Sequence, residues 1–362
     1  MSDSSGRIRI LVIALSGIGD ALMFTPSLLK LKEDYPQSEI DALVMFGGVK
    51  DIYKTLPHIN NIHHFNFLKK SKIEALKFVL SLRGKYDISI NVYPSNRKEY
   101  NLISLLIGAP KRSAVQYLRK DFINLGFLNN SRIPENDNLH NVEENILMCE
   151  KLSGKKSDNV YPLQLNLPES SKLFSEKFLL TNGITNGDLV VGFHPGCSEL
   201  KNHDKRRWST NNFAELATLL IKNYNAKILI FGGTEEINLK HDIINRVGNK
   251  NILSVETNSL EDTAAVMKRC NLFITNDSSL MHVASALQLN VIALIGPTNP
   301  SYISPWQTKN SIVSLNLECA PCFYYSPKPL SCSRTDLQFK CIVELPAQLV
   351  YDEAAKYLAS KD

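Results

Sequence analysis

Two α/β halves, each a parallel sheet wound on both faces by helices, are predicted by three observations. Short apolar strands alternate with amphipathic helices from Ile8 onward, and the alternation pauses near the middle and starts again. The turns rich in glycine, hydroxyl and charge fall where strands end. Ligands of doubly wound sheets bind outside the carboxyl ends of the strands, so two such halves imply a cleft between those ends. The chain has 362 residues, more than one ordinary core accommodates, which gives two domains.

In the first half, strands are expected at 8–15, 39–46, 61–66, 86–92 and 111–115, with helices at 20–34, 48–56, 71–83 and 97–107. Short apolar strands separated by helices point to a parallel sheet covered on both faces. Residues 1–7 are polar and expected to fray. Residues 116–139 read as irregular, and 140–152 as a helix. The segment SGKKSDNVYPLQLNLP at 153–168 is rich in turn formers, and the interdomain passage is placed at about 155–185, with a helix at 169–181. Strands then return at 188–194, 226–231, 251–255, 271–275 and 290–295, with helices at 208–224, 235–247, 259–269 and 279–288. A last helix is expected over 345–360, where AQLVYDEAAKYL repeats apolar residues at helical spacing. The domains are set at 1–165 and 166–344, followed by the terminal segment 345–362.

Apolar residues make up 44% and charged residues 21%, the balance of a soluble globular protein. The net charge of +5 is mild. It suits an anionic small substrate or an anionic membrane surface and falls short of the basic bias of a nucleic-acid binder, so no nucleic-acid partner is expected. The run ILVIAL after Arg7 and Arg9 is too short for a signal peptide, and no run approaches a membrane span. A cytoplasmic location is expected, at most peripheral to a membrane. Of seven cysteines, Cys149, Cys197 and Cys270 are scattered. Cys319, Cys322, Cys332 and Cys341 cluster as C-x2-C-x9-C-x8-C, but the second pair lacks the tight knuckle of a structural zinc site. No bound metal is expected; the alternative of a metal on these four thiols stays open.

The first motif is Ser16-Gly17-Ile18-Gly19-Asp20, directly after the first strand. A dinucleotide fingerprint fails here: Leu22 stands at the third glycine position, and Met45 and Phe46 end the second strand where a ribose-binding acid belongs. What remains is a tight turn carrying a carboxylate. Asp20 either favours a helix N-terminus by its charge or serves as a general base. Pro26 fits a helix that starts at Thr25 or an early kink.

In the second half, Gly192-Phe193-His194-Pro195-Gly196-Cys197-Ser198 is a strand exit whose backbone N–H groups suit a phosphate, or an ordinary loop. Asp204-Lys205-Arg206-Arg207-Trp208 sets cations before a helix start, which opposes the helix dipole unless an anion sits there; a solvated basic loop is the rival, and Trp208 reads as packing. Gly232-Gly233-Thr234-Glu235-Glu236 places acids that suit a helix start or the two hydroxyls of a ribose. Asn276-Asp277-Ser278-Ser279, with His282 one turn on, suits an anion at a helix N-terminus, such as a diphosphate. His282 faces either that anion or the core. The turn Gly296-Pro297-Thr298-Asn299-Pro300 follows the next strand.

Taken together, LSGIGDALMFTPSLLKLKEDYPQSEIDALV, GFHPGCS with KRRW and NFAELA, FGGTEE, and NDSSLMHVASALQLNVIALIGPTNP resemble glycosyltransferase family 9, the lipopolysaccharide heptosyltransferases and their relatives. The resemblance implies a GT-B fold, with two facing Rossmann-like domains, the acceptor on the first, the sugar nucleotide on the second, and a terminal helix that packs back on the first. It implies an inverting transfer from a nucleotide-diphospho-sugar, typically ADP-heptose, with no required cofactor. Asp20 matches the general base. Lys205 or Arg206 matches the family lysine, and Glu235 or Glu236 the ribose-binding acid. Asp277, Ser278, Ser279 and His282 match the D-T-G-L-x-H block of the donor site, with two serines in place of Thr-Gly. Ser198 is grouped with the donor. Ser16, Gly17, Gly19, Arg97, Arg119 and Lys120 are assigned to an anionic glycolipid or glycan acceptor. Rival readings are a GT-B transferase for another sugar of O-antigen or capsule, a nucleotide-sugar epimerase, a non-catalytic binding protein, and a protein-modifying heptosyltransferase with metal on the cysteines.

Overall fold

The computed structural model describes residues 7–324 and 329–359; residues 1–6, where fraying is expected, 325–328, and 360–362, which hold the expected end of the last helix, lie outside them. Among the described residues the strands form two six-stranded parallel sheets, one in each of two units that divide between Asn166 and Leu167.

The first unit runs β1 (Arg9–Ala14), α1 (Ile18–Met23), α2 (Thr25–Asp34), β2 (Glu39–Val44), α3 (Gly47–Tyr53), β3 (Asn61–His64), α4 (Lys72–Ser81), β4 (Ile88–Asn91), α5 (Lys98–Ile107), β5 (Lys111–Gln116), β6 (Ser131–Pro134) and α6 (Asn141–Ser153). The sheet order is β3-β2-β1-β4-β5-β6. β1 is central, with Val12 paired to Ala42 on one side and Ile90 on the other. Strands covered on both faces must be apolar throughout, and Ile10 to Leu15 are all buried. The helix expected at 20–34 is two helices that meet at Phe24, and Pro26 stands at the start of the second, where its missing N–H costs nothing. Lys30 and Asp34 form a buried ion pair one turn apart at 2.6 Å. The stretch taken as irregular at 116–139 contains β6, a short edge strand that buries only Ile133.

The second unit runs α7 (Glu169–Thr181), β7 (Val190–His194), α8 (Thr210–Tyr224), β8 (Lys227–Ile230), α9 (Ile237–Val247), β9 (Ile252–Ser254), α10 (Leu260–Met267), β10 (Leu272–Asn276), α11 (Ser279–Ala286), β11 (Val291–Leu294), α12 (Pro300–Ile303), β12 (Asn310–Val313), α13 (Lys340–Val343) and α14 (Ala347–Leu358). Its sheet order is β12-β11-β10-β7-β8-β9. This is the same winding as in the first unit: the chain lays three strands outward from the centre, then crosses back to lay three on the other side. Each sheet therefore has one point where the winding reverses, between β1 and β4 in the first and between β7 and β10 in the second.

The second core gathers Phe193, Phe213 and Trp208, whose ring meets Phe213 edge-on at 4.8 Å. Trp208 is buried, as its packing assignment requires, and its indole N–H donates to Leu345 O at 2.7 Å. Truncating a buried ring such as Phe213 to alanine costs about 3–5 kcal/mol. α14 corrects an expectation. The resemblance places it back on the first domain, yet it packs on α8, β11 and β12 and buries Val350, Ala354, Tyr357 and Leu358 in the core of the second unit. Its apolar stripe is covered there.

Candidate active site

In the first unit, β1, β4 and β5 are neighbours, and the candidate residues leave their carboxyl ends around the winding reversal. The Ser16–Asp20 turn follows β1. The Ser16 hydroxyl donates to Pro94 O at 2.9 Å, which ties this turn to the loop after β4. Asp20 sits in the first turn of α1, half-buried, and its Oδ2 accepts from Gly17 N at 3.1 Å. Both roles foreseen for it are thus compatible: it orders the helix start and still meets solvent. Neither Gly17 nor Gly19 has positive φ. A Cβ on Gly17 would meet nothing closer than the Asp20 carboxylate at 3.9 Å, so neither packing within the unit nor backbone conformation requires glycine there.

Three largely buried phenols feel the charge of Asp20. Burial pushes Tyr53 and Tyr117 far above the ordinary phenol value, and the charge of Asp20 pushes the same way. Burial pushes Tyr100 up to about 12, partly opposed by Arg97. These phenols stay protonated near neutrality. Arg97, half-buried, lies over the Tyr100 ring at 5.8 Å. Arg119 is paired with Asp137 at 3.1 Å, and Lys120 takes a left-handed backbone that turns the loop after β5. Buried asparagines, which sequence reasoning passed over, hold these loops: Asn124 donates to Asn96 Oδ1 at 2.7 Å, and Asn101 to Asn124 O at 2.7 Å.

In the second unit the winding reversal lies between β7 and β10, and the polar residues there form two hydrogen-bonded groups, one around His194 and one around Asp277, that adjoin at the neighbours Asp277 and Ser278. His194, last residue of β7, shares a hydrogen bond with the Ser278 hydroxyl at 2.8 Å and lies 3.3 Å from Glu236 Oε2. Glu236 accepts from Gly233 N at 2.8 Å. Burial raises the Glu236 carboxyl, but the His194 hydrogen bond, its charge and the Gly233 N–H outweigh this and hold it below the usual range. A Cβ on Gly196 would overlap the Glu236 carboxylate, so only glycine leaves room for it. Gly232 has φ +151, a backbone that favours glycine. The buried Lys240 ammonium donates to Gly232 O at 3.2 Å, Val255 O at 3.1 Å and Glu256 at 2.8 Å, which pins the turn that carries Glu236.

The cationic run resolves into separate roles. It does not stack on the start of α8, whose cap is Ser209. The segment Leu200–Arg206 is kinked at left-handed Lys201 and Asn202, and in the turn that follows Arg206 points inward and Lys205 outward. Arg206 pairs with Asp277 Oδ2 at 2.5 Å, and the Thr298 hydroxyl donates to the same oxygen at 2.7 Å. Arg206 also lies over the Phe323 ring at 5.8 Å. Lys205 is exposed and 3.5 Å from its neighbour Asp204. Arg207 turns to Cys197 O at 2.6 Å and to Glu199 at 3.2 Å. The two acids divide in the same way: Glu236 is inside, and Glu235 is exposed.

Ser278 opens α11 without a side-chain cap; its hydroxyl points to His194 and Thr275, and the first N–H groups of the helix receive no side-chain acceptor from it. Such an end favours an anion. Ser279 follows, half-buried, as the first helical residue. His282 is buried, and its Nδ1 has no hydrogen-bond partner among the described residues. Burial pulls its pKa down to about 4, opposed by the Asp277 charge, so it is neutral near pH 7. Ser198 is exposed and only accepts from Leu200 N at 3.2 Å. The structure brings Arg206, Glu236, Asp277, Ser278, Ser279 and His282 to one region and leaves Ser198, Lys205 and Glu235 at the surface. His194 and Thr298 complete the network although only the turns containing them were singled out; the available signal was a histidine ending an otherwise apolar strand.

Cys319 and Cys322 are exposed, Cys332 is half-buried and Cys341 is buried. Arg334 donates to Cys319 Sγ at 3.6 Å, and Phe339 N to Cys332 Sγ at 3.3 Å. Among the described residues no group of three or more acidic, histidine or cysteine side chains is arranged to hold a metal ion.

Comparison with known proteins agrees with this geometry. The lipooligosaccharide heptosyltransferase 2 of Campylobacter jejuni is 26% identical over 97% of this chain and 98% of its own. The structure of E. coli ADP-heptose LPS heptosyltransferase II superposes with a TM-score of 0.73 at 21% identity, covering 98% of this chain and 99% of that one. E. coli heptosyltransferase WaaC with ADP gives 0.70 at 18% identity, covering 97% and 100%. The fold is GT-B, and its two sheets share one strand order. The model of glycosyltransferase family 9 (heptosyltransferase) matches residues 75–330, and this chain, a glycosyltransferase, belongs to that family.

Proposed function

We propose that the protein transfers a heptose from ADP-heptose, with inversion at the anomeric carbon, to the core of a lipopolysaccharide or lipooligosaccharide. The observation that carries this reading is the second-unit network: Arg206 held by Asp277 beside the uncapped start of α11, at the reversal of the sheet. A nucleoside diphosphate needs both a fixed cation and free N–H groups, and this place offers them together. Asp277 is a positioning residue here, since a carboxylate repels phosphate and this one holds the guanidinium. Glu236, ionised and fixed by His194, suits the two hydroxyls of the ribose. The names of relatives that align over nearly the whole chain favour heptose over other sugars.

Asp20 takes the proton from an acceptor hydroxyl. That oxygen forms the new bond to the anomeric carbon as the bond from that carbon to the diphosphate oxygen breaks. ADP departs with the electron pair, and its growing charge meets Arg206 and the N–H groups at Ser279 and beyond. Arg97, Arg119 and Lys120, around the first reversal, suit the anionic groups of the acceptor, which is carried on a membrane lipid.

The test supplies ADP-heptose and a deacylated core oligosaccharide to the purified protein. Release of ADP with a gain of one heptose on the oligosaccharide is expected. Faster turnover with another nucleotide sugar, or transfer to a protein and not to the oligosaccharide, overturns the assignment.

A further inference from the structure

α4 is held on the first unit by one face only. Val79, and Leu82 just past the helix, are buried, while Phe78 stacks on Phe65 at 4.4 Å and meets Phe67 edge-on at 6.2 Å. The opposite face is apolar too. Ile73, Leu76 and Leu80 are 69%, 47% and 42% exposed and recur at helical spacing, and Leu68 before the helix is 66% exposed. A solvated helix face normally carries polar residues.

The pattern continues on the adjoining elements. α5 packs against α4 and exposes Leu102 and Leu105 beside Lys98. The short turn Gly126–Leu128 packs on α5, and the loop leading to it exposes Phe122 and Ile123 at 78% and 71%. The Phe122 and Phe127 rings lie 5.3 Å apart, so these side chains form a small cluster of their own. An apolar band on adjoining elements marks an interaction surface.

The charge around this band names the partner. Residues 66–85 carry six cations and one acid, Glu74, which Lys70 pairs at 3.3 Å. Lys69, Lys72, Lys77, Arg83 and Lys85 make no ion pair among the described residues. At about 100° per residue, Lys72 falls on one flank of the Ile73–Leu76–Leu80 stripe and Lys77 on the other. An apolar stripe with cations on both flanks is the pattern of a helix lying in a lipid interface. The stripe enters the acyl boundary, and the lysine stems lie along it with their ammonium groups at the phosphates. Among the described residues no helix is long and apolar enough to cross a membrane.

We infer that the outward face of α4, continued by α5 and the Phe122 loop, docks the first unit on an anionic lipid bilayer. The acids near the band leave a cationic excess: Asp121 is tied to Arg132 at 2.8 Å and Asp137 to Arg119, and the exposed Glu99 of α5, beside Lys98, is outnumbered by the five cations of residues 66–85 that make no ion pair among the described residues. A glycosyltransferase held in this way meets lipid-borne acceptors by diffusion in two dimensions.

Co-sedimentation tests the surface, using the whole protein with phosphatidylcholine vesicles and with vesicles that also contain phosphatidylglycerol. The protein should pellet with the anionic vesicles, and added salt should release it. Two variants change only exposed positions: Ile73→Ser/Leu76→Ser/Leu80→Ser and Lys77→Glu/Arg83→Glu. Each should weaken binding to anionic vesicles by about tenfold or more. Each should keep its melting temperature and its rate on a soluble deacylated acceptor. Absence of binding by the unaltered protein overturns the inference, as does unchanged binding by both variants. An equal loss of rate on the soluble acceptor also overturns it, because the face would then serve the sugar site. Vesicle binding is read without sugar transfer, so its failure and the failure of heptose transfer are separate results.

Discussion

The two units share a strand order, and each places its candidate chemistry at the carboxyl ends around the reversal, but they equip that place in opposite ways. In the first unit the centre is one carboxylate, Asp20, which accepts from the Gly17 N–H and acts electrostatically on phenols that burial keeps protonated. In the second unit the centre is a fixed guanidinium and an uncapped helix start, with Arg206 held by Asp277 and Glu236 by His194. The scaffold therefore determines where chemistry sits, and a few residues in the turns determine its sign. One end offers a carboxylate and the other a fixed cation beside free N–H groups, which suits the proton uptake and the departing diphosphate of the proposed transfer.

The contrast breaks most severely at Asp20. Asp20→Asn keeps an acceptor for Gly17 N–H but cannot take a proton. The transfer rate should fall by about 10³-fold or more, the upper part of the range for general bases. Affinity for ADP, measured by calorimetry, should stay within about twofold, since the diphosphate site lies in the other unit. A rate near that of the unaltered protein would remove Asp20 from the role of base.

Arg206→Met tests the opposite end. The rate should drop by about 10²–10³-fold, as for loss of one fixed donor to a developing anion, and ADP should bind more weakly. Some of this loss comes through Asp277, left buried with one partner fewer, so a parallel Thr298→Val variant calibrates that part.

His282 gives a smaller effect that depends on pH. Its pKa is about 4 in the folded chain against an ordinary value of 6.5, so the unfolded chain binds the proton first as pH falls. Stability is therefore unaffected by this group above about pH 6.5 and is lost progressively from there down to about pH 4. The loss amounts to about 2 kcal/mol at pH 5. Melting curves at pH 7 and pH 5 should show a larger drop for the unaltered protein than for His282→Gln. Equal drops would mean that the ring is already protonated in the fold.

Most of the fold was legible because strands covered on both faces leave unbroken apolar runs, as in Ile10–Leu15 and Leu272–Ile274. The two missed strands are at sheet edges. β6 buries Ile133 and β12 buries Val313, with no other buried residue in either strand, so backbone pairing and not hydrophobic pattern recruits them. The packing of α14 was misplaced because an amphipathic helix records that it has a buried face, not which core covers it. The site was legible as turns but not as side chains. Adjacent residues such as Lys205 and Arg206 necessarily differ in direction, and which of them turns inward depends on a chain path bent by left-handed Lys201 and Asn202, neither of them glycine, which no local pattern announces. His194 was passed over for a related reason: its role comes from Ser278 and Glu236, far away in sequence and adjacent only once β7, β8 and β10 are paired.

The smallest expected effects sharpen the comparison furthest. Lys205 and Glu235 carry the same charge as the inward residues beside them, and Glu235 differs from Glu236 in placement alone. If placement carries the function, Lys205→Ala and Glu235→Gln should each change the transfer rate and ADP affinity by no more than about twofold, the range for exposed positions away from special features. Exposed ion pairs such as that of Lys205 with Asp204 are worth little, so stability should also hold. Glu236→Gln, one residue away, should weaken donor binding by about tenfold, through lost charge-assisted hydrogen bonds to the ribose. Steady-state rates for Lys205→Ala against Arg206→Met, and for Glu235→Gln against Glu236→Gln, therefore compare neighbours with the same charge and opposite direction. If the outward member of either pair proves the more damaging, that loop rearranges when donor binds, and the inward group seen here marks its resting arrangement.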